Sequence, residues 1–351
     1  MSSIDIRLNQ INKAIPPILI VISLINFVFG GIGLILNVFV FTRASLRREP
    51  CSLYFFSSTL FNLFVIFVLI PVRIVSEGYN IDIGNYNLTI CKIEFFAFYV
   101  ARTIPCWLIV LACVDRYLNS SIKARIRQIS SYKTARLAIG ITIITIIILH
   151  IHMPVYYEIS YMSDQFGNIT PACFGQKGIY RTFIAFWAMV SYSLCPSFLM
   201  LFFGFLTLKN LHRHRQVLSR TTQINQTTRR VNIQLSRMLA AQVLVIVIAT
   251  LPFSIYRLYA SFTVSLPKST LRIAEENLAF KIANVFTYFA HSTSFYLYTL
   301  TGTVFRKELF KIIRLRWYPN QTMVTMTGLK MQQMSILPSN RQITATNNNG
   351  T

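Results

Sequence analysis

Apolar residues fall along this chain in long blocks rather than at single alternating positions. Seven blocks of roughly 18 or more residues stand out, at 18–42, 52–76, 91–118, 135–157, 181–208, 235–262 and 278–300. A helix rises ~1.5 Å per residue, so about 20 apolar residues cross the ~30 Å hydrocarbon core of a bilayer. Each block is therefore predicted to be a membrane-spanning helix. A shorter segment at 303–317 has another pattern, with Phe305, Leu309, Ile312 and Ile313 on one face and Arg306, Lys307, Lys311 and Arg314 around the other. That arrangement suits a helix lying in the membrane surface. Beyond Trp317 the chain is rich in Asn, Thr, Gln and Met, and 318–351 is expected to be disordered. No internal repeat or soluble-domain pattern interrupts the series. The predicted fold is an all-α membrane protein, a seven-transmembrane helix bundle with a C-terminal amphipathic helix, over 18–317.

Composition supports this and raises one question. Only 13% of the 351 residues are charged, against about 25% in soluble domains. Yet the net charge is +23. Nucleic-acid binders are basic but polar, whereas this chain is 54% hydrophobic, so no nucleic-acid partner is expected. The charges are instead expected on one side of a membrane, because loops rich in Lys and Arg stay cytoplasmic. Arg43, Arg47 and Arg48 follow the first block closely, which puts the N-terminal tail, 1–17, outside. The first block is too long for a cleavable signal and reads as an uncleaved anchor. With seven spans, the cytoplasmic segments are 43–51, 116–136, 209–237 and everything after 301. They hold 23 of the 34 basic residues against Glu49, Glu308 and, at the edge of the second segment, Asp115, or +20 of the +23. The sequons at Asn87 and Asn168 then face outside and are candidate glycosylation sites. Those at Asn119, Asn225 and Asn320 face inside.

Of six cysteines, only Cys91 and Cys173 lie in segments expected outside, where thiols oxidise; a disulfide between them is expected. It would tie the top of span three to the loop between spans four and five. Cys106, Cys113 and Cys195 read as packing residues and Cys51 as a reduced thiol. The five histidines show no spacing for a metal or a catalytic triad, and His150 and His152 are expected on different helix faces. No enzyme, cofactor or metal is expected.

Seven spans with the N-terminus outside resemble a G protein-coupled receptor, and particular residues carry the match. Asn37 stands mid-span in the first helix. Cys91 precedes Arg116 by 25 residues, and Asp115-Arg116-Tyr117 ends span three ahead of a basic loop. Pro196 and Pro252 stand at the kink positions of spans five and six. Tyr298, followed by Phe305-Arg306, resembles the family's span-seven Tyr and the start of its eighth helix. The chain is thus similar to rhodopsin-like (class A) receptors over about 20–317. The resemblance implies a plasma-membrane receptor that binds an extracellular ligand in the bundle and activates a heterotrimeric G protein. Asp115, Arg116, Tyr117 and Tyr298 would serve that coupling. The basic loop 209–237 and helix 303–317 would touch anionic membrane lipids.

Several positions depart from the family pattern. Asn62 replaces the span-two Asp of the sodium-linked site. Ala249-Thr250-Leu251-Pro252 lacks the usual Trp, and Ser294-Phe295-Tyr296-Leu297-Tyr298 keeps only the final Tyr. Gly204 stands where span five usually has a Tyr. Asn232 cannot supply the acid that some members place opposite the span-three Arg. A different activation switch is expected.

Phe98 in place of an amine-binding Asp, and Tyr288 in place of an opsin Lys, argue against a monoamine or retinal. Arg102 lies 11 residues past Cys91, about 16 Å along the helix, and so near mid-membrane. A charge there is costly unless it faces the bundle interior, which marks a functional site. Glu94, Phe98 and Arg102 share one helix face. With Arg257 and Tyr288 they form the candidate ligand site, suited to a peptide with an acidic or amide group. The pattern as a whole is similar to neuropeptide receptors of the FMRFamide type. The alternatives are a non-signalling or decoy receptor, which the missing Trp would fit, and a transporter. Against the latter, there is no inverted repeat and no ring of intramembrane acids.

Overall fold

The computed structural model describes residues 3–47, 49–79, 81–163, 169–218, 226–263 and 266–317. Helix α1 is Ser3–Phe41. It begins well before the expected 18, because the start of an apolar run marks a membrane boundary rather than a helix boundary. Ile15 and Leu19 are both buried in one cluster with Val65, Ile66, Leu69 and Ile70.

Helix α2 runs over Pro50–Gly78. It widens into π-helical turns at Val65–Leu69 and Ile74–Gly78 on either side of Pro71, which has no N–H to give and crowds the carbonyl one turn back. Helix α3 is Leu88–Asn119, started by Asn87, whose side chain accepts from the Thr89 and Ile90 N–H groups. Helix α4 is Tyr132–His150. Helix α5 begins as Ile179–Ala188, passes through the π-helical stretch Met189–Leu194, and continues as Cys195–Leu218. The wide stretch ends two residues before Pro196, which has no N–H to donate to the turn that precedes it. Helix α6 is Gln226–Phe262 and contains Pro252.

Helix α7 is broken. It consists of Thr270–Phe286, Phe289–Ser292 and Ser294–Thr301. At the first break the Thr287 and Tyr288 N–H groups reach only three residues back, to Asn284 (3.2 Å) and Val285 (3.0 Å). Among the described residues six helices, α1 to α6, are long and apolar enough to cross a membrane. The seventh expected span falls on α7, which these breaks divide. Helix α8 is Thr303–Trp317. Packing separates the chain into units 1–306 and 307–351; within the second, Lys311 pairs with Glu308 at 2.8 Å.

Helix α3 is the core of the bundle, with 72% of its most apolar stretch buried against 22% for α4. On α4, Leu137, Ile141, Ile144 and Ile148 are each more than half exposed. Their spacing places them on one stripe. Such a large bare apolar face belongs against lipid rather than water.

One feature lies outside the all-α expectation. Strands β1 (Tyr157–Ser163) and β2 (Ile169–Gly175) form an antiparallel hairpin between α4 and α5, with Ile159 opposite Cys173. Cys173 is joined by a disulfide to Cys91 at the start of α3. Its N–H also donates to Asn85 Oδ1 at 2.9 Å. The hairpin is thus pinned by one covalent bond to α3 and one hydrogen bond to the turn Ile83–Asn85 just before it. Asn168 and the segment 318–351 lie outside the described residues, as do Asn225 and Asn320.

Candidate functional site

Arg102 is only 4% exposed. Its guanidinium donates to Asn284 Oδ1 (3.2 Å) and to Thr287 Oγ1, both in the α7 segment. It also lies near the rings of Phe98 (4.6 Å), Tyr192 (4.9 Å) and Tyr288 (5.1 Å). An aromatic face attracts a cation through its quadrupole, more strongly where water is excluded. The break in α7 sits where Thr287 meets Arg102, in keeping with kinks at inserted side chains. The Thr287 hydroxyl in turn donates to the Asn284 carbonyl at 2.5 Å.

A second arginine, Arg73 on α2, lies on the other side of the cluster. It stands 4.5 Å from the Phe98 ring and 5.3 Å from Phe95. Glu77 (3.8 Å) and Glu94 (3.7 Å) flank it. Phe98 therefore touches two guanidinium groups, one paired with acids and one held by neutral partners. A cavity of about 10 Å³, room for one water at most, is bordered by Arg73, Glu77 and Tyr288. Glu94, Phe98 and Tyr288 lie around Arg73, and Phe98 and Tyr288 also face Arg102. Arg257 is engaged elsewhere, over the Phe253 ring at 5.8 Å.

A polar chain continues below Arg102. The Tyr192 hydroxyl and His291 Nε2 are 3.2 Å apart, and His291 Nδ1 is 2.8 Å from Asn62 Oδ1. With Nδ1 donating to the amide oxygen, Nε2 is left to accept from Tyr192. The chain links α3, α5, α7 and α2 through buried side chains, where an unpaired polar group would be costly. Arg73, Tyr192, Asn284, Thr287 and His291 are site residues that the sequence pattern does not single out. For Arg73 a signal exists, since it is an ionisable residue inside an apolar block, like Arg102.

At the far end of α3, Asp115 and Arg116 are both buried and paired at 2.8 Å. Ser130, from the loop before α4, donates to the other Asp115 oxygen at 2.6 Å. Tyr117 packs against Phe203 of α5 at 5.8 Å. Tyr298 is buried among Phe41, Phe55 and Phe305, and its hydroxyl donates to Gln242 Oε1 on α6.

A family model described as 7 transmembrane receptor (rhodopsin family) matches residues 33–296. The chain belongs to the rhodopsin family of seven-transmembrane receptors. No curated protein matches it in sequence. As a rhodopsin-family receptor it is a multi-pass membrane protein and a signalling receptor rather than an enzyme.

Three of the positions where this receptor departs from its family, Asn62, Thr250 and Ser294, make hydroxyl or imidazole contacts. Asn62 is taken up by His291. Thr250, in the motif lacking the Trp, accepts from Ser193 of α5 at 3.1 Å and donates to the Ile246 carbonyl at 2.9 Å. Ser294 receives a hydrogen bond from Asn37 of α1 at 3.0 Å. In α5 the carbonyl of Ser191, inside the π-helical stretch, accepts from Trp107 Nε1 of α3 at 2.9 Å.

One expectation needs correction. His150 and His152 do not diverge; α4 ends at His150, and the turn after it brings the rings to 6.4 Å, with Trp187 beside both. Farther along α6, Tyr259 donates to Glu276 Oε1 at 2.7 Å. Glu276 also takes Lys268 (2.6 Å) and Arg272 (3.1 Å).

Proposed function

We infer that this receptor binds an extracellular peptide at the Cys91–Cys173 end of the bundle and activates a heterotrimeric G protein at the Asp115-Arg116-Tyr117 end. Its N-terminus faces outside, and it works at the plasma membrane. Asn87 and Asn168 are available there for glycosylation. The observation that carries the reading is the buried connection from Glu94 and Phe98 through Arg102 to α5, α7 and α2. A ligand that shifts the Arg73–Glu94–Phe98 layer must disturb Arg102, and with it the partners on three other helices. Binding energy at one end then has a physical route to rearranging α5, α6 and α7, which is what a population shift requires.

Each residue has a role in this reading. Glu94 and the buried Phe98 and Tyr288, with Arg73, form the layer that a peptide displaces on binding, and Arg257 adds a cation from α6. Arg102 lies beneath and serves as the floor of the site. At the other end, Asp115 holds Arg116 until the helices part, after which Arg116 and Tyr117 can meet the G protein. Tyr298 moves with α7.

A panel of synthetic amidated peptides, tested on membranes bearing the receptor for binding and G protein nucleotide exchange, examines this reading. An active peptide should lose at least tenfold in affinity with Phe98→Ala, about 1.4 kcal/mol. Unchanged affinity in Phe98→Ala, Glu94→Gln and Arg102→Ala together would exclude this site. Peptide binding without exchange on any Gα class would favour a non-signalling receptor.

A further inference from the structure

At the G protein end, the base of α6 is joined to the end of α7 and the start of α8 by neutral hydrogen bonds. Gln242 Oε1 accepts from the Tyr298 hydroxyl. Two turns below, Gln234 Oε1 accepts from the Thr303 hydroxyl at 2.9 Å and from the Val304 N–H at 2.8 Å. The second bond caps the N-terminus of α8, where the first N–H groups have no partner within the helix. Gln234, Met238 and Gln242 recur at i, i+4 and i+8, so one face of α6 makes both contacts.

The turn between α7 and α8 is shaped to this face. A Cβ on Gly302 would lie 2.6 Å from the Tyr298 carbonyl oxygen, 2.9 Å from Gln234 Nε2 and 2.9 Å from Met238 Sδ. Only a residue without a side chain lets α6 come this close. Gln234, Gln242, Tyr298 and Gly302 are all buried. Arg116, meanwhile, has its carboxylate on its own helix, from Asp115.

We propose that Gln234 and Gln242 are positioning residues that hold α6 against the end of α7 and the first residues of α8 in the resting receptor. They act through Tyr298 and the Thr303–Val304 turn, and Gly302 provides the clearance. The proposal rests on the reading of the chain as a signalling receptor. It adds that the resting state is fastened by amide hydrogen bonds at this junction. Opening the cleft beside Arg116 requires both glutamines to release, and the side of α6 below Pro252 moves as one piece.

The test uses the full-length receptor in lipid nanodiscs, with spin labels at the exposed Arg47 and Arg237 positions and no ligand. Gln242→Leu, Gln234→Leu and Gly302→Ala should each lengthen the label distance by several ångströms. Tyr298→Phe combined with Gln242→Leu should go no further than either alone, since both remove the same bond. Gln234→Glu keeps an acceptor at the α8 N-terminus, where negative charge is favoured, and should retain the wild-type distance. It also shows that position 234 tolerates change without unfolding. Basal nucleotide exchange on added G protein should rise severalfold in the opened variants. A distance distribution unmoved by Gln234→Leu, Gln242→Leu and Gly302→Ala would overturn the proposal. Longer distances with no exchange on any Gα class would support it, while contradicting the signalling role itself.

Discussion

Arg102 is a charge made tolerable inside a membrane by neutral neighbours. An amide, a hydroxyl and three aromatic faces meet it, and among the described residues no carboxylate pairs with it. Replacing it with Met keeps much of the volume but leaves Asn284 and Thr287 without their donor. Hydrogen bonds to charged groups contribute about 1.5–3 kcal/mol each, and unpaired buried partners add to the loss. Arg102→Met should therefore lower stability by roughly 2–4 kcal/mol, read as an earlier thermal unfolding of the purified receptor. Glu276 poses the opposite case, at the rim. Burial alone would raise its carboxyl, but hydrogen bonds from Lys268, Tyr259 and Arg272, with the Lys268 charge, hold it below the usual range. A depressed carboxylate stabilises the fold above its unfolded value and loses that contribution as pH falls through the folded value. Wild type should then be more stable than Glu276→Gln at pH 7, with the difference vanishing on acidification below the ordinary glutamate range. Because the cluster is partly solvated, the effect is small. Thermal shifts across pH would measure it.

At the scale of elements, the apolar blocks announce the helices but not their interruptions. Period and length follow from burial against lipid, so α1 to α6 and α8 were legible, and Cys91 and Cys173 were legible from compartment chemistry. The π-helical turns of α2 and α5 were not, although Pro71 and Pro196 mark them. The break in α7 was invisible for a different reason. It has no proline, and depends on Arg102 reaching Thr287 across the bundle, a contact 185 residues away in sequence. The hairpin had a weak signal in Tyr157, Ile159 and Tyr161 at period two, overshadowed by the adjoining apolar span. Its pinning gives an element-scale prediction. Without the Cys91–Cys173 bond, which closes a separation of 82 residues, loss of the chain-entropy constraint removes about 4.5 kcal/mol. Cys91→Ala with Cys173→Ala should sharply reduce surface expression, measured by antibody labelling of intact cells.

For the whole molecule, the +23 charge and the buried polar groups divide the work. In the proposed orientation the basic excess belongs to the cytoplasmic segments, on the side of Asp115-Arg116-Tyr117. The interior carries neutral and shared contacts at the places where this receptor departs from its family: His291 on Asn62, Thr250 on Ser193, Ser294 on Asn37. A switch built from such bonds differs from one built around a sodium ion. Sodium at physiological concentration should leave basal exchange and peptide affinity unchanged, whereas His291→Ala should alter both. The central claim is that the end around Arg116 activates a G protein. Nucleotide exchange on purified heterotrimers of each main Gα class, added to membranes bearing the receptor, tests this most directly. Exchange should exceed that of empty membranes for at least one class and fall to background with Arg116→Ala, while surface expression is retained. Exchange at background for every class, or exchange untouched by Arg116→Ala, would contradict it.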